Sequence, residues 1–178
     1  MDLIRTSEIF SEIKIFKGKL ISDSRGQFSK PFYGDPLVNQ FGNLSEVIYS
    51  KSKQNVIRGL HFQEPPEGVS KFVHCLDGEI KDVFVDLRKS SQTYGQFDSI
   101  KLKSETPLSV FIPEGFGHGF SVISKSATVL YLQSKPFSIL HDAGVNINSF
   151  DIDWEVKNPI ISDKDYGLVN FPDFDSPW

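Results

Sequence analysis

The chain has 178 residues, is 39% hydrophobic and 13% aromatic, and carries a net charge of −4. Its length suits one domain with a real core (1–178), and its composition excludes a disordered chain. The acidic balance argues against nucleic acid as the main partner; no apolar run nears the ~20 residues of a membrane span, and MDLIRTSEIF lacks the basic-then-apolar plan of a secretion signal.

Strand signals then dominate in chain order. Residues 13–15 and 20–21 read as short strands on either side of Lys17-Gly18-Lys19, and Ser22, Asp23, Ser24 and Gly26 make a turn. DPLVNQFG (35–42) is a short helix or turn opening at Pro36 and closing at Gly42, and LSEVIYS (44–50) is a strand. NVIRGLHFQEPPEGVSKFVHCL (55–76) is two apolar strands joined by a Pro/Gly-rich loop. The single cysteine, Cys75, sits among alternating apolar residues; it reads as a packed structural thiol, allows no internal disulfide and fits a reducing cytoplasm. Asp77-Gly78 between apolar runs is a hairpin signal. IKDVFVDLR (80–88) alternates imperfectly, SIKLKS (99–104) alternates cleanly, and 109–112 is a strand ended by Pro113. FSVIS (120–124) and ATVLYLQ (127–133) read as a pair joined by Lys125-Ser126, and DKD after Ser162 opens a helical turn. The final FPDFDSPW is either a loose tail or a segment docked on the surface or on a partner subunit. Many short, evenly spaced strands with Gly/Pro turns predict an all-β sandwich or barrel, with a jelly roll the leading form and only short helical turns near the termini.

Two stretches carry chemistry. The first places Arg58, His61 and Lys71 on apolar strands, where such side chains are costly to bury without anions or hydrogen-bond partners. Taken alone, His61 reads first as a satisfied core histidine rather than a functional one. The second, FIPEGFGHGF (111–120), contains Pro113, Gly115 and His118 as P-x-G-x-x-H, a pattern of the second half of cupin-type β-barrels, with glycines that allow a tight turn before the histidine. Metal-binding barrels of that type add H-x-H and a later Glu. Here His61 is followed by Phe62 and Gln63, and His74 and His141 lack the spacing, so no metal site is expected. Two histidines, a lysine and an arginine suit an anionic, carbonyl-bearing ligand. Removing a proton next to a carbonyl needs a base, a cation for the developing oxyanion and an acid on the opposite face.

With SRGQF (24–28), NVIRGLHFQ (55–63), GEIKDVFVDLRKSSQTYGQ (78–96), IPEGFGHGF (112–120), VLY (129–131) and DW…ISDKD (153–154, 161–165), the chain resembles the dTDP-4-dehydrorhamnose 3,5-epimerase family from about Gly18 to Asp165. The resemblance implies a cupin-like double-stranded β-helix, a homodimer, no metal and no cofactor. Its substrate would be a nucleoside-diphosphate 4-keto-6-deoxysugar, inverted at C3, C5 or both. It makes His61 the base and Asp165 the carboxylate paired with it. Tyr131 becomes the proton donor, and Lys71 and His118 the sugar contacts able to steady the enolate. Arg25, Arg58, Asp142 and Lys164 become substrate-binding residues, while Asp82, Asp86 and Arg88 are left as structural.

The departures cluster at the nucleotide end. Lys30 stands where the family commonly has an acid, Glu46-Val47-Ile48 replaces a Gln-Asp-Asn triplet, and Pro136 followed by Phe137 replaces a base-stacking tyrosine. These keep open a single-position epimerase or ketoisomerase on another sugar nucleotide, and a binder without turnover.

Overall fold

The computed structural model describes residues 1–178, the side chain of Val38 excepted. Its strands are β1 (Asp2–Thr6), β2 (Lys14–Lys17), β3 (Lys19–Asp23), β4 (Gly26–Lys30), β5 (Glu46–Lys53), β6 (Ile57–Gln63), β7 (Lys71–Asp77), β8 (Glu79–Asp86), β9 (Phe97–Lys103), β10 (Leu108–Ile112), β11 (Phe116–Val122), β12 (Ser126–Gln133) and β13 (Asp142–Gly144). Helix α1 (Asp35–Phe41) and the single turn α2 (Asp163–Tyr166) are the α-helical segments.

The strands form a six-stranded sheet ordered β1-β2-β10-β7-β12-β5, a five-stranded sheet ordered β13-β6-β11-β8-β9, and the separate hairpin β3-β4. From β5 to β13 the chain crosses between the two large sheets at every step except β8 to β9. This is a cupin-like jelly roll, with antiparallel pairing throughout both sheets.

That crossing corrects two sequence expectations. Asp77-Gly78 does turn the chain, with Gly78 at φ 81°, yet β7 and β8 belong to different sheets and do not pair. The same holds for β11 and β12 around Lys125-Ser126. A turn signal reports local backbone geometry; which neighbour each strand takes is decided by burial of its faces.

Phe10, Ile15, Val73, Phe84, Phe116, Phe120 and Val129 fill the space between the sheets. The outer face of the five-stranded sheet (Ile57, Leu60, Val83, Val85, Leu87) is covered by the C-terminal region, including Phe150, Phe171, Phe174 and Trp178. The terminal segment is therefore docked on its own chain: Trp178 and Phe174 meet Phe62 edge-on, with ring centroids 5.3 and 5.5 Å apart. Phe32, Leu37 and Phe41 cover the opposite sheet at Phe16, Phe72 and Phe111. Burial on both faces explains the imperfect alternation of 80–88, since Ile80 and Phe84 point into the sandwich while Val83 and Val85 point out.

Glycines set the spacing at the centre of the five-stranded sheet. Gly59 has φ 130°, and a Cβ there would lie 2.5 Å from Gly119 Cα. Only glycines let β6 and β11 come this close, and the register then sets His61 opposite His118.

Candidate active site

A cavity of about 220 Å³ opens at one end of the sandwich. Ile48 and Ser50 of β5, Lys71 of β7 and Tyr131 and Gln133 of β12 line it from the six-stranded sheet. Arg58 and His61 of β6, His118 of β11 and Asp142 of β13 line it from the five-stranded sheet. Residues two apart on a strand share a face, so the alternation that packs Val73 and Val129 into the core also aims Lys71 and Tyr131 into the cavity.

His61 is the more open of the two cavity histidines, and its Nε2 lies 2.8 Å from Asp165 Oδ1. Asp165 is buried and comes from α2, where Ser162 Oγ caps its backbone amide at 3.1 Å. Its Oδ2 accepts from Gly59 N at 3.2 Å. Burial alone would raise this carboxyl, but the hydrogen bond and charge of His61 and the Gly59 amide outweigh it and hold Asp165 below its usual range. An ionised carboxylate on Nε2 keeps the proton there, so Nδ1 carries the lone pair.

Lys71 is buried, and no hydrogen bond or ion pair engages its ammonium among the described residues. Burial pulls it down from 10.5 to about 8, against the opposing charges of Asp82 and Asp142. His118 Nε2 lies 2.7 Å from Asp82 Oδ1, and both residues are buried. Burial lowers this imidazole, with Asp82 acting the other way. The Tyr131 ring stands edge-on to His118 with centroids 6.1 Å apart. Burial raises its phenol well above the usual value, so it holds its proton at neutral pH. Arg58 Nε donates to Ser52 Oγ at 3.0 Å, which aims the rest of the guanidinium at the cavity it lines.

At the rim, Lys164 pairs with Asp142, and Phe137 forms an aromatic wall. The Phe137 loop is pinned from two strands: Glu46 Oε2 accepts from Phe137 N at 3.0 Å and Gln63 Oε1 from Ser138 N at 2.6 Å. Arg25 lies elsewhere. It sits on the exposed β3–β4 hairpin, paired with Asp23 at 2.6 Å, and is not among the residues lining this cavity.

The structure thus brings His61, Asp165, Lys71, His118, Tyr131, Arg58, Asp142 and Lys164 to one end of one sandwich and leaves Arg25 apart within the single chain. Among the described residues no group of three or more His, Cys, Asp or Glu is placed to hold a metal ion. Asp82, left as structural from the sequence, also reaches this site through His118. A signal was present: an acid at a sandwich-facing position between Ile80 and Phe84 requires a partner. Asp86 and Arg88 do form a structural pair, bidentate at 2.9 and 2.8 Å, with the guanidinium 4.5 Å from the Phe116 ring. Cys75 is buried and its thiol is pushed up to about 12, which fits a packed structural role.

Residues 8–173 match the family model described as dTDP-4-dehydrorhamnose 3,5-epimerase. A dTDP-4-dehydrorhamnose 3,5-epimerase of Shigella flexneri is 37% identical over 180 residues, covering 98% of both chains. A dTDP-4-dehydrorhamnose 3-epimerase of Streptomyces niveus is 36% identical over 149 residues, covering 81% of this chain and 72% of that one. The crystal structure of a dTDP-6-deoxy-D-glucose-3,5-epimerase of Legionella pneumophila, in complex with dTDP-4-keto-L-rhamnose, superposes with a TM-score of 0.89 at 29% identity, covering 98% and 95% of the two chains. By these matches the chain belongs to the dTDP-4-dehydrorhamnose 3,5-epimerase family.

Proposed function

We propose that this isomerase inverts C3 and C5 of a dTDP-4-keto-6-deoxyhexose, converting the dTDP-4-dehydro-6-deoxyglucose type to the dTDP-4-dehydrorhamnose type. Both carbons flank the C4 ketone, so each C–H is acidified by it. Nδ1 of His61 takes the proton, the C–H electron pair moves into an enolate, and the imidazolium is steadied by Asp165. The Lys71 ammonium faces the enolate oxygen, and Arg58 holds a sugar or diphosphate oxygen. Tyr131 returns a proton to carbon and recovers its own from solvent, while His61 gives up the proton it took to solvent before the next abstraction.

The observation that carries this reading is the placement of base and acid on opposite walls. His61 belongs to the five-stranded sheet and Tyr131 to the six-stranded one. A proton removed at one wall and returned from the other inverts the carbon between them; a binding protein has no need of this arrangement.

The same reading covers residues 1–178 as one cupin-like unit, cytoplasmic and homodimeric. A two-stranded hairpin is marginal alone, and β3–β4 displays the cross-strand pair Ile21–Phe28 at 57% and 59% exposure. A second copy covering that pair would bring Arg25 towards bound nucleotide. Among the described residues no helix is long and apolar enough to cross a membrane.

The test is incubation with dTDP-, CDP-, GDP- and UDP-4-keto-6-deoxyhexoses in deuterated water, following C3–H and C5–H by NMR. Exchange at both carbons of the dTDP sugar is expected. Exchange at one alone supports the single-position reading, which the similarity to the Streptomyces niveus 3-epimerase favours. Binding without exchange of any substrate overturns the enzyme assignment.

A further inference from the structure

Two carboxylate–imidazole pairs face the same cavity, and the chemistry above uses only one. His61 and His118 are register partners on β6 and β11. Asp165 reaches the first ring from α2, and Asp82 reaches the second from β8 within the same sheet. The second pair is the deeper: Asp82 is fully buried and its Oδ2 has no hydrogen-bond partner among the described residues. Nothing competes with the imidazole N–H for this carboxylate.

That contact decides which nitrogen meets substrate. In a neutral ring, the nitrogen against a carboxylate carries the proton and the other carries a lone pair. Nε2 of His118 is taken by Asp82, so Nδ1 is the nitrogen left for the cavity that the residue lines. The charged or titratable groups around the ring are Asp82 on β8, Lys71 on β7, His61 on β6 and the Tyr131 phenol on β12. Burial, Lys71 and His61 all disfavour an imidazolium, and Asp82 opposes them without prevailing.

We propose that Asp82 is a positioning residue of the active site: it fixes His118 as the neutral Nε2–H tautomer, whose Nδ1 accepts a hydrogen bond from a sugar hydroxyl beside the reacting carbon. This rests on the cavity being the sugar site. It divides the labour between two residues the family resemblance leaves interchangeable. A ring protonated at Nδ1 would donate to the ketone oxygen in competition with Lys71. An acceptor there leaves the oxyanion to Lys71 and selects a substrate that carries a hydroxyl. Asp82 has a second effect through charge, because its carboxylate raises the Lys71 ammonium against burial. Neutralising Asp82 removes that support, so Lys71 loses its proton at lower pH.

The first measurement needs no substrate, so its failure is distinct from failure of the epimerase reading. Long-range 1H–15N correlation on ligand-free, 15N-histidine protein, with His118 assigned by its contact to the Tyr131 ring, should give a protonated Nε2 and a bare Nδ1. That pattern should hold between about pH 6 and pH 8, where a free imidazole titrates. A protonated Nδ1, or titration within that window, overturns the proposal. The second measurement is the kcat–pH profile of Asp82→Asn on the dTDP 4-keto sugar. Its basic limb should fall at lower pH than in the wild type, a shift that a merely structural residue would not produce. An unmoved limb in a folded, active variant overturns the link to Lys71; should the variant not fold, the wild-type spectrum decides alone.

Discussion

Replacing Asp165 by Asn removes one charge and one of the two acceptor oxygens. The side chain keeps its shape and Ser162 still caps the turn because it binds the backbone of residue 165, but with the amide oxygen on Gly59 N the amide NH2 faces His61 Nε2 and favours the tautomer protonated at Nδ1. The loss falls on the imidazolium that His61 becomes after taking the proton. Unit charges 2.8 Å apart interact by about 6 kcal/mol at an effective dielectric of ~20. The His61 side chain is 34% exposed, and solvent screening brings this to roughly 3 kcal/mol. At 1.36 kcal/mol per decade, kcat for C3–H and C5–H exchange should fall by at least about 100-fold, the changed tautomer adding to the lost charge. Deuterium wash-in by NMR measures the loss directly, and circular dichroism checks that the fold persists. Exchange within about threefold of wild type would refute the claim that the Asp165 carboxylate supports the base.

Other outcomes follow from the same geometry. In the proposed mechanism Lys71 serves as a cation, and burial lowers it to about 8, so kcat should decline as pH rises through that value. Lys71→Met should abolish that limb along with most activity, as a pH–rate profile would show. For stability the sign is opposite: an unfolded lysine keeps its proton to ~10.4 while the folded one loses it earlier, so this group adds stability as pH rises between the two values, measurable by urea titration. Gly59→Ala places a methyl 2.5 Å from Gly119 Cα at a φ of 130°, which should cost at least about 2 kcal/mol and lower Tm by roughly 4–8 °C.

Much of the site was legible where the signal is local. The apolar strand around His61 and the glycine turn before His118 were readable, whereas that β6 and β11 are neighbours is seen only in the structure, where glycines allow their close approach. Asp165 was beyond any spacing argument, since it lies 104 residues from His61 and meets it only after the chain has crossed between sheets several times; family resemblance supplied it. The hairpin expectations at Asp77-Gly78 and Lys125-Ser126 failed for a related reason. A turn signal spans about four residues, whereas sheet membership depends on the burial of whole strands. Strands β1, β4 and β13 went unrecognised: β4 (Gly26–Lys30) begins inside the stretch read as a turn, β13 (Asp142–Gly144) has no alternation to read, and β1 (Asp2–Thr6) is an exposed edge. Arg25 shows the limit in the other direction: its motif is readable, yet within the single chain it lies on the exposed β3–β4 hairpin, away from the cavity.

The account turns on a base at one wall and an acid at the other, and Tyr131→Phe in deuterated water tests it most directly. His61 is untouched in this variant and should still exchange the hydrogen next to the ketone. With the opposite-face donor gone, the proton returns from the His61 side, and deuterium should enter with retained configuration. Inversion at the wild-type rate in Tyr131→Phe would contradict the assignment of Tyr131 and, with it, the two-wall mechanism.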